Sequence, residues 1–362
     1  MITPDLAEAL AVRTERLCAI PSVSGAEREI CDEVEEWARK HAHQVVRVKN
    51  SVVSWVDGEA SAERPVVALC GHLDTVPIHA EDAGRFPRRE GGRIVAPGAS
   101  DMKSGVAVAM EIVERLPRER RFCDLVLVLY AREEGPFLDN ELGEVLRETP
   151  ALGRAALAVC LEPTDNVLQL GCVGSIHATV AFRGRSAHSA RPWLGDNAVH
   201  KAGSLLAHLS ERAPREATSA SLTYREVISA TRIEGGRARN VVPDHCQVNL
   251  NFRFAPDKPL EAAAEELRAL ASRFGGEAEL TDLSPACPTF ADHPLVRRLA
   301  ERASVRIEPK QAWTDVARLA AVGVPAVNFG PGATAQAHRA GEWVEIASMV
   351  RCHHMLEAFL RA

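Results

Sequence analysis

Histidine and acidic residues stand at the ends of three apolar segments of the chain. His72 ends "RPVVALCGH", Glu133 and Glu134 follow "CDLVLVLYAR", and Glu162 follows "AALAVCL". A further acidic residue, Asp101, opens the helical segment "DMKSGVAVAMEIVERL" between the first two. In a parallel α/β sheet, the carboxyl ends of the strands lie along one edge, where ligands bind. We therefore expect these side chains to converge at one edge of a sheet.

Carboxylates that converge in this way repel one another, and most of them would need raised pKa values. Divalent cations remove this problem, because their positive charge balances that of the carboxylates. Carboxylate and imidazole ligands that leave open positions are typical of catalytic rather than closed structural metal sites. A second histidine must come from elsewhere, and His338 in the Gly-rich segment "FGPGATAQAHRAGEWV" is the candidate.

Glu133 and Glu134 are neighbours, and neighbouring side chains of an extended segment point in opposite directions. One of them can bind a metal while the other faces the substrate as a general base, and the pattern does not say which. His72 and Asp74 are two residues apart, so Asp74 can accept the other ring N–H of His72 and fix its tautomer. Taken singly, a glutamate pair is usually solvated and a loop histidine is usually only exposed; the joint arrangement favours a metal site.

The elements that must position these residues alternate along the chain. Apolar residues at helical spacing predict helices over 3–20 and 24–41, the second with Ser24 as its N-cap. Strand, helix and strand then alternate up to about residue 165, which predicts a parallel sheet. From about residue 173 the order becomes β-α-β-β-α-β, the split βαβ pattern of a small α+β domain.

We therefore predict an α/β protein with two domains. Residues 1–172 and 288–362 form a catalytic domain with a mostly parallel central sheet flanked by helices. Residues 173–287 form an inserted ferredoxin-like α+β domain.

The composition excludes some classes of function. A net charge of −6 over 362 residues gives no reason to expect nucleic acid or an anionic membrane as a partner. No apolar run approaches the ~18 residues of a membrane span, and the start of the chain lacks the apolar region of a signal peptide. The nine cysteines show no CxxC spacing, which favours a reducing compartment, so we expect a cytoplasmic protein.

Five segments occur in the order typical of one family: "GHLDTVP", "GASDMKSG", "REEG", "LEPTD" and "AHRAGEWV". They resemble the co-catalytic di-zinc aminoacylase and carboxypeptidase superfamily of metallohydrolases. The resemblance implies that His72 and Glu162 bind one Zn²⁺, that Glu134 and His338 bind the other, and that Asp101 bridges them.

The same resemblance implies two Zn²⁺ per subunit, for which Co²⁺ or Mn²⁺ can substitute. It assigns Glu133 as general base and acid and Asp74 as the residue that orients His72. It also implies a cis peptide bond between Asp101 and Met102.

In the inserted domain, His188 of "RSAHSARP" matches a histidine that family members contribute to the partner subunit's active site, where it helps to bind the oxyanion. Without the resemblance, a surface-loop histidine is the better interpretation. The match implies a homodimer formed through the inserted domain, which then acts as a lid. The candidate substrate contacts are Arg253, Asn240, Ser175, Thr314 and Gly332.

The longer segments, such as "RGRSAHSARPWLGDNAVHKAG", are most similar to members that hydrolyse N-succinyl-LL-2,6-diaminopimelate to succinate and LL-2,6-diaminopimelate for lysine and cell-wall synthesis. Two departures bear on the acyl group. Cys172 and Val173 stand where better-known members have an arginine before the lid, and "REEGPFLDNELG" also resembles other deacylases.

Three alternatives therefore stand beside this substrate. The first is acetylornithine, another N-acyl amino acid or a dipeptide at the same site. The second is a metal-binding scaffold without catalysis, against which the complete residue set argues. The third, a nucleotide-binding α/β protein, lacks a GxGxxG or P-loop motif after its strands.

Overall fold

The computed structural model of the protein describes residues 4–58, 64–82, 84 and 86–362. Contacts between residues divide the chain into two compact units. The first unit contains Met1–Leu170, Phe290–Glu308 and Arg318–Ala362, and the second contains Gly171–Thr289 and Pro309–Ala317. The chain thus leaves the first unit, builds the second and returns.

The described residues form helices and strands throughout both units. The α-helices are α1 (Pro4–Ala19), α2 (Arg28–His41), α3 (Ser104–Arg115), α4 (Leu142–Glu148), α5 (Ala198–Glu211), α6 (Leu260–Arg273), α7 (Pro294–Ala303), α8 (Val316–Ala321) and α9 (Ile346–Leu360). The strands are β1 (Gln44–Val48), β2 (Ser51–Trp55), β3 (Val66–His72), β4 (Arg88–Glu90), β5 (Arg93–Val95), β6 (Asp124–Tyr130), β7 (Leu157–Cys160), β8 (Leu168–Leu170), β9 (Gly174–Arg183), β10 (Arg215–Ser219), β11 (Leu222–Gly235), β12 (His245–Phe254), β13 (Glu277–Ser284), β14 (Ile307–Pro309), β15 (Ala326–Asn328) and β16 (Trp343–Glu345). Among the described helices, none has both the length and the apolar character needed to cross a membrane.

The first unit is built on a sheet of eight strands in the order β1-β2-β6-β3-β7-β15-β8-β14. The four central strands, β6, β3, β7 and β15, run parallel, while β1, β2 and β8 pair antiparallel at the flanks. Every residue of β3, β6 and β7 is buried, because helices cover the sheet. The predicted α/β class with a mostly parallel central sheet is confirmed.

The second unit has an antiparallel sheet of five strands in the order β10-β11-β12-β9-β13. Alternate residues of β12 are buried, and their apolar side chains pack with those of α5 and α6 in one core. The sequence predicted β-α-β-β-α-β, but β10 adds a further strand. It is short, mostly exposed and polar, and it pairs with β11 through a tight hairpin, so its sequence lacks the apolar alternation of a strand.

The contacts also place a segment differently from the predicted domain limits. Residues 309–317 fall in the second unit, not with 288–362. Several hydrogen bonds hold the segment there; for example, Gln311 donates to the carbonyl of Arg225, and the Trp313 ring donates to the carbonyl of Pro285.

Two local predictions are wrong. Helix α2 begins after Glu27 without a side-chain cap, and the Ser24 hydroxyl instead donates to the Asp74 carboxylate at 2.6 Å. Asp101 does not lie in the first turn of a helix, because its φ of −119° and ψ of 93° are extended and α3 begins only at Ser104. In both places a contact distant in sequence determines the backbone.

His353 on α9 gives this fold a pH-dependent term in its stability. Its ring is 3% exposed, and burial lowers its pKa to about 4, although the charge of Glu357 opposes the shift. His354, Glu111 and Arg115 are the other charged or titratable groups acting on it. Between pH 6.5 and about 4, the unfolded chain therefore binds a proton that the folded chain does not. The contribution of the neutral, buried His353 to the free energy of unfolding is fully present above pH 6.5 and is lost as the pH falls through that range.

We expect His353→Leu to flatten this dependence. A pKa shift of this size corresponds to at most about 3 kcal/mol between the two ends of the range. The check is denaturant unfolding of both metal-free proteins from pH 7 to pH 4. Free energies of unfolding that fall in parallel would contradict the assignment.

Candidate metal centre

His72 ends strand β3 at the carboxyl edge of the parallel strands, and its ring is only 1% exposed. Its Nδ1 lies 3.0 Å from the backbone carbonyl of Asp74, and its Nε2 lies 3.2 Å from Oδ1 of Asp101. Donation from Nδ1 to the carbonyl leaves Nε2 as the ring nitrogen that can bind a metal. The Asp74 carboxylate is farther from the ring, at 3.6 Å.

The Asp74 carboxylate is fully buried and holds the segment that carries the two glutamates. Oδ1 accepts the backbone N–H of Glu133 at 3.0 Å, and Oδ2 accepts that of Glu134 at 3.1 Å. Burial opposes its charge, but His72, the Ser24 hydroxyl and the N–H of Glu134 prevail and lower its pKa. The sequence predicted that the ring N–H of His72 donates to this carboxylate. It donates instead to the backbone carbonyl of Asp74, and the carboxylate orders the neighbouring loop.

Asp101 stands between the two histidines. Its Oδ1 faces His72, while its Oδ2 lies 3.6 Å from Nε2 of His338. The peptide bond between Asp101 and Met102 is cis, as the family resemblance implies. One carboxylate that presents a different oxygen to each histidine has the geometry of a bridging ligand.

Three groups of ligand atoms overlap here, and within each group the atoms lie within 4.8 Å of one another. They are His72, Asp101 and Glu162; Asp101, Glu134 and His338; and His72, Glu133 and Glu134. The first two groups are the predicted ligand sets, and they share Asp101. Nε2 of His338 lies 2.9 Å from Oε1 of Glu134. Glu133 occurs only in the third group and is half-buried.

The pKa values of His72 and His338 reflect the negative charge of the carboxylates around them. Burial opposes the charge of His72, but the neighbouring carboxylates of Asp101 and Asp74 raise its pKa well above the ordinary value. The bond to Glu134 raises the pKa of His338 to about 9, against the effect of burial. The site therefore favours added positive charge. A divalent cation supplies that charge, and these nitrogen and oxygen donors fit Zn²⁺.

Sequence reasoning missed Glu342, a buried residue four positions after His338. Its Oε1 accepts the backbone N–H groups of Ser100 and Asp101, and its Oε2 accepts that of Gly98. Burial raises its pKa to about 7 in spite of these bonds. The only signal in the sequence was an acidic residue beside Trp343 in an otherwise ordinary turn.

Two glycines allow loops to approach the ligands closely. A Cβ atom at Gly330 would lie 2.4 Å from the backbone carbonyl oxygen of Glu162, and one at Gly332 would lie 2.1 Å from that of Ser100. Gly332 was predicted to contact the substrate. The structure gives it a packing role beside the Asp101 loop, and its substrate contact stays a prediction.

The other predicted substrate residues lie in the second unit. Arg253 of β12 and Ser175 of β9 are direct cross-strand partners, and Asn251 links them, accepting from Arg253 and donating to Ser175. The backbone N–H of Ser189, next to His188, donates to the carbonyl of Asn240. Thr314, the remaining predicted substrate contact in this unit, is buried. The structure thus pairs Arg253 with Ser175, and the roles of all these residues stay predictions.

The family model of the M20/M25/M40 peptidases matches residues 68–362. The chain belongs to peptidase family M20/M25/M40. The predicted membership in a metallohydrolase superfamily is thereby confirmed.

Curated relatives in this family match almost the whole chain. A Mycobacterium tuberculosis protein provisionally named succinyl-diaminopimelate desuccinylase is 38% identical over 350 residues, covering 96% of each chain. The succinyl-diaminopimelate desuccinylase of Corynebacterium glutamicum is 36% identical over 358 residues, covering 96% of this chain and 95% of its own. Acetylornithine deacetylase of Myxococcus xanthus is 32% identical, and the match covers 83% of this chain and 81% of its own.

Solved structures share the fold. Aminopeptidase PepT of Bacillus cereus has a TM-score of 0.77 at 19% identity and 98% coverage of both chains. A dinuclear metal-binding M20 peptidase of Bacillus subtilis has a TM-score of 0.70 at 16% identity, covering 99% of this chain and 98% of its own.

We expect Asp74→Asn to impair hydrolysis more than folding. An amide cannot accept the backbone N–H groups of Glu133 and Glu134 at both of its atoms, so the segment they occupy loses its anchor. Disturbing a residue that orients metal ligands typically lowers activity or metal affinity by about 10- to 100-fold. The check is kcat/KM beside the melting temperature. Ser24→Ala, which removes only the hydroxyl bond to the same carboxylate, is the control, and wild-type activity in Asp74→Asn would refute this role.

Metal stoichiometry tests the bridging role of Asp101. Because its carboxylate faces both histidines, Asp101→Asn should weaken the binding of two metal equivalents together. His338→Asn should weaken one equivalent and leave the other. Metal titration of chelator-treated protein measures both. Loss of a single equivalent in Asp101→Asn would show that it does not bridge.

Proposed function

We propose that the protein is a di-zinc amidohydrolase that removes succinate from N-succinyl-LL-2,6-diaminopimelate. The observation that carries the proposal is the pair of ligand sets joined by Asp101, in a chain that is 38% and 36% identical to the two desuccinylase relatives over 96% of its length. A shared carboxylate with open positions on both sides suits hydrolysis rather than a closed structural site.

In this proposal, His72 and Glu162 hold one metal, Glu134 and His338 hold the other, and Asp101 holds both. Zn²⁺ is the proposed ion, with Co²⁺ or Mn²⁺ as substitutes. When bound, the ions polarise the amide carbonyl and lower the pKa of the attacking water.

Glu133 is the proposed general base and acid. Its carboxylate takes a proton from the attacking water and then delivers it to the leaving amine nitrogen. The Asp74 carboxylate supports this role, because it accepts the backbone N–H groups of both Glu133 and Glu134. One anchor thus fixes the base relative to the adjacent ligand.

Residues of the second unit are proposed to select the substrate. Arg253 suits a bidentate bond to a substrate carboxylate, and its link through Asn251 to Ser175 supports a preset orientation. Asn240 and Thr314 are proposed as further contacts, and Gly332 of the first unit as another. His188 is proposed to bind the oxyanion in the partner subunit of a homodimer.

The cytoplasm is the proposed compartment. All nine cysteines are free thiols in the structure, which supports a reducing environment.

Acetylornithine deacetylation is the second candidate, and the Myxococcus xanthus relative at 32% identity favours it. Cys172, where better-known desuccinylases have arginine, is buried beside the carbonyl of Thr314. This thiol offers no charge to a succinyl carboxylate, so Arg253 would have to supply the pairing.

A substrate panel with one variant tests the proposal. The zinc-loaded enzyme should hydrolyse succinyl-diaminopimelate with a kcat/KM at least about 100-fold above that for acetylornithine. This ratio corresponds to about 2.7 kcal/mol of difference in transition-state binding. Glu133→Gln should lower kcat by at least 100-fold while both metals stay bound, since general base catalysis contributes about 10²–10⁴.

Asp139→Asn, an exposed change on the same loop, is the control for the substitution. A preference for acetylornithine would replace the proposed substrate. Near-normal turnover in Glu133→Gln would end its role as base.

A further inference from the structure

We propose that Glu342 is a positioning residue that sets the place of the bridging ligand Asp101 relative to the ligand His338. The inference rests on the proposed metal centre. Glu342 belongs to none of the ligand groups, and what it touches is the backbone that carries a ligand.

The bonds of Glu342 form a complete cradle for the Asp101 loop. Oε1 accepts from Ser100 at 2.7 Å and from Asp101 at 2.8 Å, and Oε2 accepts from Gly98 at 2.9 Å. The side chain is buried, so water does not compete for these donors. The N–H groups of Gly98, Ser100 and Asp101 thus end on one carboxylate, whereas that of Lys103, just before α3, donates to the carbonyl of Gly98. This arrangement explains why the backbone of Asp101 is extended rather than helical.

The segment from His338 to Glu342 is itself fixed at several points. The His79 ring lies 3.2 Å from the carbonyl of His338, and the N–H of Gly341 donates to both oxygens of Asp82. The carbonyl of Glu342 accepts the N–H of Ala96 at 2.9 Å. Because this short segment is anchored, the carboxylate of Glu342 has a fixed position and can hold the backbone of Asp101 in place.

A carboxyl group is required for this task, because both of its oxygens act as acceptors. Burying an anion is unfavourable unless several donors satisfy it, and here backbone donors occupy both oxygens. Glutamine has one acceptor atom in place of two and would turn its amide N–H₂ toward a backbone N–H. The loop would then lose at least one bond, and the Asp101 carboxylate would no longer be held between its two histidines.

The experiment compares metal binding by wild type, Glu342→Gln and Asp57→Asn. Asp57 is the matched control: it is a buried carboxylate that accepts a backbone N–H, from Leu125, and is paired with Arg121. Leu125 lies at the start of β6, opposite the edge that carries the ligands. Zinc affinity is measured by competition with a chromophoric chelator, and the absorption spectrum of the Co²⁺-loaded protein reports ligand geometry.

We expect Glu342→Gln to bind both metals about 10- to 100-fold more weakly and to change the Co²⁺ spectrum. Asp57→Asn should lower the melting temperature of the metal-free protein but keep wild-type metal affinity. A purely structural Glu342 would behave like Asp57, and wild-type affinity and spectrum in Glu342→Gln would overturn the proposal.

Glu342→Asp, which keeps the charge but is shorter by one carbon, serves if the glutamine variant does not fold. Failure of both to fold, while Asp57→Asn folds, would also overturn the proposal in favour of a structural role. Because metal binding is measured without substrate, an error in the proposed substrate leaves the result intact. A wild-type protein that binds no metal would end the proposed function and this inference together.

Discussion

Mutual repulsion among carboxylates is the constraint on which this site depends. Asp101, Glu134 and Glu162 lie in two overlapping groups with a histidine in each, and both histidines have raised pKa values because of the acidic groups around them. Side chains that repel one another do not assemble unless the backbone forces them to. Rigid parallel strands do this for His72 and Glu162, which lie at or just past strand ends. The other ligands sit on loops and need a different means of fixation.

Buried carboxylates that are not ligands supply that fixation. Asp74 follows the predicted ligand His72 by two residues and holds the loop of Glu133 and Glu134. Glu342 follows the predicted ligand His338 by four residues and holds the loop of Asp101. Each histidine segment therefore delivers one ligand and anchors the loop that carries another. A carboxylate suits this task, because its two oxygens accept from separate backbone N–H groups, and bonds to a charged acceptor are stronger than neutral ones.

The sequence predicted what depends on short-range pattern. Continuous apolar runs located β3, β6 and β7, and the acidic residues at their ends indicated the edge where Glu162 and the glutamate pair lie. The sequence did not predict local structure that depends on a contact with a residue distant along the chain. Nothing near Asp101 shows that its N–H groups bond to a residue 241 positions later, and nothing near Ser24 shows that its hydroxyl turns to Asp74. Strand β10 was missed because a polar, exposed edge strand gains its pairing from β11 and not from an apolar face.

In the proposed function, the division of the chain separates reaction chemistry from substrate choice. All the predicted metal ligands, and the carboxylates that anchor them, lie in the first unit, whereas Arg253, Ser175, Asn240 and His188 lie in the second. If these residues have their proposed roles, changes in the second unit alter the accepted acyl group while the ligand geometry stays constant. This explains how relatives at 38% and 32% identity carry the names of a desuccinylase and a deacetylase. It also explains why the ligand motifs, however complete, specify hydrolysis more firmly than they specify the substrate. In the proposed function, that specificity is encoded by contacts of the second unit, such as the Arg253–Asn251–Ser175 chain, together with Gly332 of the first unit.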